Sequence, residues 1–295
     1  MAPRFPGRAG SLSSRLLSRV LERRGLAIVS KSDATDRPGP ADRLPAGYFE
    51  ERPFDDLVDY GEERALELLR VVFPVYRGEY ESFPREPSGD GAFHLCNDFF
   101  GPVDAEVLYC MVRNLAPREV VEVGSGFSSL LVRMALDANP RPAGRLTCID
   151  PDPRAAISAA ADTALRSPVE TLEAGIFSRL GEGDILFVDS SHVLATGGDL
   201  NFIFFEVLPL LQPGAIVHFH DICLPRDYLR EWVLKERRGY TEQYLLLAFL
   251  VGNDDYEVVW PGLYMMLEHP REIMDTFPSC TSTTAPVSFW LRKLR

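Results

Sequence analysis

The sequence predicts an α/β fold on a mostly parallel sheet, and three observations predict it. From residue 118 onward, apolar runs of strand length alternate with helical stretches. The run Ile185 to Val188 is continuously apolar and bounded by Asp184 and Asp189, as a strand buried on both faces must be. Finally, Glu119-Val-Val-Glu-Val-Gly-Ser-Gly leads from a short strand through a Gly-x-Gly turn straight into a helical stretch, Leu130 to Leu136. Glycine at 124 and 126 lets the backbone turn tightly and approach a ligand, because no Cβ obstructs it. The helix behind such a turn opens with free backbone N–H groups.

The remaining elements follow in order. Ser11 to Arg24 has helical periodicity, with Leu12, Leu16 and Val20 on one side and arginines 15, 19 and 23 four apart. Residues 1–32 carry seven Lys or Arg against Glu22 alone, about +6, within a chain of net charge −12. A solvated or packed helix, a contact with an anionic membrane surface and a targeting peptide all fit that stripe. Asp33 to Pro45 reads as a linker, so residues 1–45 form a basic helix and flexible connection. Residues 46–96 read as a helical cap, with a helix over Asp55 to Phe73 and a Pro/Gly-broken lid loop over Phe83 to Gly91. Tyr76, Tyr80, Phe83, Phe99 and Phe100 are candidates for an aromatic pocket wall. Pro102 to Leu115 is the helix that leads into the first strand.

The second strand is Arg145 to Asp150, ending in an acid 24 residues beyond Gly126. A helix is expected over Arg154 to Leu165 and a short third strand over Pro168 to Leu172. The fourth strand, Gly183 to Asp189, precedes an apolar helix, Asp199 to Leu211, with Asp199 as N-cap candidate. Gln212-Pro-Gly turns into the fifth strand, Ala215 to Phe219, which ends in His220-Asp221. Tyr228 to Arg237 and Tyr240 to Leu250 read as helices. Tyr256 to Val259 and Val287 to Arg292 close the sheet.

Composition narrows the function. A 46% hydrophobic fraction in 295 residues is ample for a core. The acidic balance argues against nucleic acid as partner. No stretch reaches the roughly 18–20 apolar residues of a membrane span. Five cysteines without a C-x-x-C pair read as reduced thiols, which points to the cytoplasm.

The turn at 124–126 separates two cofactor classes. A dinucleotide fingerprint has a third glycine where Ser129 stands, and no carboxylate so close to its pyrophosphate. The arrangement of Glu122, Gly124 and Gly126 resembles motif I of the class I S-adenosylmethionine-dependent methyltransferases, an acid followed by x-G-x-G. Asp184-Ile-Leu-Phe-Val-Asp-Ser-Ser-His192 and Leu211-Gln-Pro-Gly-Ala-Ile-Val-His-Phe-His-Asp221 resemble the bacterial small-molecule and sugar O-methyltransferase branch, which includes macrocin-type and catechol-type enzymes. The resemblance covers residues 97–295. It implies a Rossmann-like, seven-stranded, mostly parallel sheet with helices on both faces and S-adenosyl-L-methionine as cofactor.

That resemblance also distributes roles. Glu122 contacts the methionine amino group or organises the loop. Gly124, Ser125 and Gly126, flanked by Ser129, cradle the methionine moiety, and Asp150 with Pro151 takes the ribose. Asp189 stands between cofactor and acceptor. Catechol-type relatives hold Mg²⁺ with acids at these strand ends, so Asp189, His220 and Asp221 are candidate ligands for Mg²⁺, Mn²⁺ or another divalent ion. His192 replaces the Lys of an Asp-x-x-Lys pattern and is the candidate general base, titrating near neutrality. His218 shares the face of His220 on a buried strand and reads as a core histidine. The expected activity is O-methylation of a small-molecule or sugar hydroxyl, with a homo-oligomer left open. Two alternatives stand beside it: an NAD-dependent oxidoreductase, and a non-catalytic module of the same fold.

Overall fold

Three β-branched residues in five make Glu119–Val123 a strand, β1, and burial of all but its first residue makes it the centre of the sheet. This is seen in a computed structural model that describes residues 41, 44–45, 47–87, 92–97, 99–153 and 160–295. The expected helix over Ser11 to Arg24 lies outside the described residues, as do the tip of the lid loop and the start of the helix expected from Arg154. The chain divides into two units, Met1–Tyr48 and Phe49–Arg295, and the sheet belongs to the second.

β1 pairs in parallel with β2 (Arg145–Ile149) on one side and β4 (Ile185–Val188) on the other, so Glu122 lies between Cys148 and Phe187. β3 (Thr163–Leu165) extends the sheet beyond β2, and β5 (Ile216–Phe219) extends it beyond β4. β7 (Phe289–Lys293) inserts antiparallel between β5 and β6 (Tyr256–Pro261), giving the order β3-β2-β1-β4-β5-β7-β6. Seven strands in that order, with helices on both faces, are the Rossmann-like sheet that the sequence predicts.

Alternation along each strand assigns the two faces. Val120, Leu146, Ile185, Phe187 and Ile216 point to one side and pack with α1, α2 (Asp104–Leu115) and α3 (Phe127–Ala138). Here α1 begins at Glu62–Glu67 and continues through wider and tighter turns to Tyr80. Val121, Val123, Leu186, Val188, Val217 and Phe219 point to the other side. They pack with α4, which begins at Asp199–Phe202 and runs on to Leu210, and with α6 (Glu242–Leu250). Each of these buried side chains contributes about 1.5–3 kcal/mol relative to an exposed one. A short helix, α5 (Arg230–Leu234), lies between β5 and α6, and α7 (Gly262–Glu268) and α8 (Pro270–Thr276) follow β6.

Three elements differ from expectation. The third strand lies at Thr163–Leu165, where Asp162 Oδ2 accepts the Leu146 N–H and fixes the pairing with β2. The expected strand at Pro168 to Leu172 is a single 3-10 turn, Val169–Thr171. The cap helix starts at Glu62, after Gly61 in the left-handed region, where an added Cβ would strike the Val258 carbonyl. The helix expected over Tyr228 to Arg237 keeps only Arg230–Leu234, and Arg237 has positive φ.

Candidate functional site

The carboxyl ends of β1, β2, β4 and β5 open onto one cavity of about 1250 Å³, larger than the roughly 300–1,000 Å³ typical for a single small ligand. At one end lies the turn after β1. Gly124 has φ +80°, and a Cβ there would sit 1.8 Å from the Asp189 carbonyl oxygen, so β1 and β4 can close on each other only at a glycine. Its N–H donates to the Ile149 carbonyl, tying the turn to β2 as well. A Cβ at Gly126 would meet nothing within 4 Å, and this residue lines the cavity. Open space there, beside the α3 N-terminus, is a cradle that a side chain would fill.

Asp150 also lines the cavity, with Pro151. Its Oδ2 accepts the Ser125 N–H (2.8 Å) and the Ser125 hydroxyl (3.2 Å), and its Oδ1 accepts the Asp152 N–H (2.7 Å). A carboxylate has about four acceptor positions, so one remains for a ligand hydroxyl. Glu122 and Ser129 are placed differently. Both are fully buried behind the turn and neither lines the cavity. Glu122 accepts the hydroxyls of Ser128 (2.6 Å) and Ser129 (2.5 Å) and the Cys148 thiol (3.2 Å), while Ser129 Oγ accepts the Gly126 N–H. Of the two roles expected of Glu122, contact with a cofactor amino group or organisation of the loop, its burial and its bonds to Ser128 and Ser129 fit the second. Burial raises the carboxylate from 4.5 to about 7, against the pull of those three donors.

At the other end, Asp189, His192, His220 and Asp221 converge. His192 Nε2 lies 3.2 Å from Asp189 Oδ1 and 3.5 Å from Asp221 Oδ2. His220 Nδ1 lies 3.7 Å from Asp189 Oδ1 and 3.5 Å from Asp221 Oδ1. His192 and Asp221 both hold φ near +60°, a conformation that costs a non-glycine residue roughly 1–2 kcal/mol. Burial opposes charge on His192, but Asp189 and Glu242 overcome it and raise the imidazole to about 10. His220 is likewise raised well above its ordinary value, burial being outweighed by Asp189 and then Asp104. Asp189 is held well below the carboxylate range, since His220 and His192 outweigh its burial.

Two expectations change here. His192 does not titrate near neutrality; it rests as an imidazolium. The divalent ion expected on Asp189, His220 and Asp221 is not supported by the donor set. Among the described residues, no group of three or more His, Cys, Asp or Glu is disposed to hold a metal. His218 is buried and stacked on Phe187 at 4.0 Å, with Nε2 3.0 Å from Ser288 Oγ. Burial, then the charge on His220, keeps it neutral.

The site contains residues that sequence reasoning missed. Glu242, wholly buried at the start of α6, pairs with His192 Nδ1 at 2.7 Å. Asp104 accepts the backbone N–H groups of Val287 and Ser288 and stands 3.7 Å from His220 Nε2. Tyr240 packs on the His192 ring at 4.5 Å, and Arg238 lies over Trp232 at 4.3 Å and 3.6 Å from Asp221. Of the expected aromatic wall, Phe99 and Phe100 line the cavity. Tyr76, Tyr80 and Phe83 belong to the core beneath α1 and α2. Trp232 and Tyr240 supply the opposite wall. A first-turn acid such as Glu242 reads in sequence as dipole compensation, and nothing local marks it further.

Residues 121–222 match the family model described as a methyltransferase domain, and these residues contain the last three residues of β1, the glycine turn, Asp150 and the whole acid–imidazole cluster except Asp104 and Glu242. In the observed strand order, that stretch forms the centre of the Rossmann-like sheet. None of the curated proteins matches the chain. Among solved structures, the O-methyltransferase TomG from Streptomyces achromogenes, in complex with SAM, is 16% identical, with 77% of this chain and 89% of that one covered and a TM-score of 0.37. An O-methyltransferase from Bacillus cereus in complex with SAH is 12% identical, covering 79% and 91%, with a TM-score of 0.40. A methyltransferase from Geobacter sulfurreducens is 17% identical, covering 67% and 81%, with a TM-score of 0.38.

Proposed function

We propose that this protein transfers a methyl group from S-adenosylmethionine to a hydroxyl of a small molecule or sugar. The observation that carries this reading is the single cavity joining the glycine turn and Asp150 at one end to the Asp189–His192–His220–Asp221 cluster at the other. Its size leaves room for a cofactor and an acceptor side by side.

S-adenosylmethionine, when bound, supplies an electrophilic methyl group on a sulfonium sulfur. The protein's residues do the rest. Gly124 to Gly126 shape the turn against which the methionine part lies, and Asp150 offers its remaining acceptor position to a ribose hydroxyl. Asp189 keeps a permanent negative charge between the two ends of the cavity. His192 Nε2 faces the acceptor end and takes the hydroxyl proton after its own resting proton has left. Orientation of the two reactants supplies much of the acceleration in such an in-line displacement. No step calls for a metal.

The test is calorimetric titration with S-adenosylhomocysteine beside NADH, repeated on Asp150→Ala. Micromolar binding of the first alone, lost in the variant, supports the reading. Binding of NADH, or of neither ligand, defeats it.

A further inference from the structure

We propose that Glu242 is a positioning residue for His192: it holds the imidazole by Nδ1 and so assigns proton exchange with the acceptor to Nε2. This rests on the methyl-transfer reading above. The two residues are 50 apart in sequence, and no strand-end pattern links them.

Four contacts clamp the segments together. The N–H groups of Thr241 and Glu242 both donate to the His192 carbonyl, at 2.8 and 3.2 Å. The Leu194 N–H donates to Thr241 Oγ1 at 2.7 Å, and the His192 Nδ1–H donates to Glu242 Oε2 at 2.7 Å. Backbone bonds thus fix His192 in its left-handed conformation, while the carboxylate fixes the ring. Glu242 Oε1 is buried without a partner, so the imidazole is the one hydrogen-bond partner of that carboxylate among the described residues. Burying a carboxylate this incompletely is costly. A residue kept only for packing would be cheaper as Gln or Leu.

The chemical consequence concerns which proton leaves. Both ring nitrogens face carboxylates, but the Nδ1 contact with Glu242 (2.7 Å) is much shorter than the Nε2 contact with Asp189 (3.2 Å), so Nδ1 keeps its hydrogen and the neutral ring carries its lone pair at Nε2. The acceptor O–H bond then breaks, with its proton going to Nε2. The electron pair left on oxygen forms the bond to the methyl carbon, and the former carbon–sulfur bond breaks with its electrons remaining on sulfur. The imidazolium that results carries Nδ1–H against Glu242.

The test needs no acceptor. The full chain, labelled with ¹⁵N in its histidine rings, is observed by NMR with and without S-adenosylhomocysteine, and His192→Gln assigns the resonance. Wild type is expected to show a Nδ1–H proton shifted far downfield by its carboxylate partner. In Glu242→Gln that signal is expected to move clearly upfield, because an amide oxygen accepts more weakly than a carboxylate, while melting temperature stays within a few degrees and homocysteine affinity within about threefold. An unshifted signal in Glu242→Gln overturns the proposal. So does loss of the signal together with cooperative unfolding and ligand binding, which would make Glu242 a structural post. Should Glu242→Gln fail to fold, Glu242→Asp decides, since it keeps an acceptor at shorter reach: a weakened but present signal supports the proposal, and an unaltered one overturns it. Failure of wild type to bind S-adenosylhomocysteine would remove the methyl-transfer reading, and would leave the tautomer result standing by itself.

Discussion

Glu122 and Asp189 are carboxylates on adjacent strands, one in β1 beside Phe187 and one just beyond β4, and the fold drives them in opposite directions. Glu122 meets two hydroxyls and a thiol, all neutral, and burial lifts it to about 7. Asp189 meets two imidazoles, which hold it ionised against its burial. Depth does not decide the charge of a buried acid; the charge of its partners does. The consequence is a division of labour: a neutral-leaning clasp beneath the cofactor turn, and a fixed anion at the acceptor end.

The largest expected effect tests the acceptor end directly. His192→Gln is expected to lower turnover about 10²–10⁴-fold, the usual contribution of a positioned acid or base, with S-adenosylhomocysteine affinity unchanged. The measurement is initial rate on an acceptor found by screening phenols and sugars. A loss below tenfold would move the proton acceptor elsewhere. In wild type the rate should climb with pH through the neutral range, because the base is raised to about 10.

Next comes the pair itself. Asp189→Asn leaves two buried imidazoles without their shared anion and is expected to cost about 3 kcal/mol in urea unfolding at pH 7, at the low end for a broken buried pair because Asp189 remains a quarter exposed. The imidazole side has its own pH signature. His192 binds its proton more tightly folded (about 10) than unfolded (6.5), so its stabilisation is complete below pH 6.5 and is lost as pH rises through 10. That decline should shrink in Asp189→Asn and set in at lower pH, the remainder being held by Glu242.

Glu122→Gln should have the opposite sign. The folded value near 7 lies above the unfolded 4.5, so the native state holds this proton more tightly. Stability is greatest below pH 4.5 and falls as pH rises to about 7, above which the charged carboxylate carries its full burial penalty. Removing the charge is expected to stabilise the protein by about 2 kcal/mol at pH 8 and by little at pH 4. Destabilisation at pH 8 would mean that the three donors outweigh burial, and the comparison with Asp189 would collapse.

The sequence makes one half of this contrast much easier to see than the other. β1, its glycine turn, Asp150 and β4 are legible because each depends on a local constraint: a period, a φ > 0 position, or an apolar run. The convergence of Asp189, His220 and Asp221 follows from strand order. The charge on Asp189 and His220 does not, since it depends on how two imidazoles and four carboxylates, Asp104, Asp189, Asp221 and Glu242, share one volume. β3 was misplaced by five residues because its short pairing with β2 is fixed by Asp162, a single side chain. Glu242 was invisible because its role exists only through a contact across 50 residues. Glu122 stays open in sequence between a ligand contact and a loop organiser for a related reason: sequence places it at the turn, but only its bonds to Ser128 and Ser129 show that it faces inward.

The smallest effect sharpens the clasp. Ser128 donates to Glu122 Oε1 at 2.6 Å and is itself buried. Ser128→Ala removes one of three donors and should cost about 1 kcal/mol at pH 8. The cost should shrink toward pH 4, where Glu122 carries its own proton and needs fewer donors. Losing a donor also raises Glu122 further, so the decline in stability, which still begins near pH 4.5, should extend to a higher pH than in wild type. A loss independent of pH would instead reduce Ser128 to an ordinary packing residue at the start of α3. Combined with Glu122→Gln, the Ser128→Ala cost at pH 8 should fall by at least half, because the two side chains act on one charge.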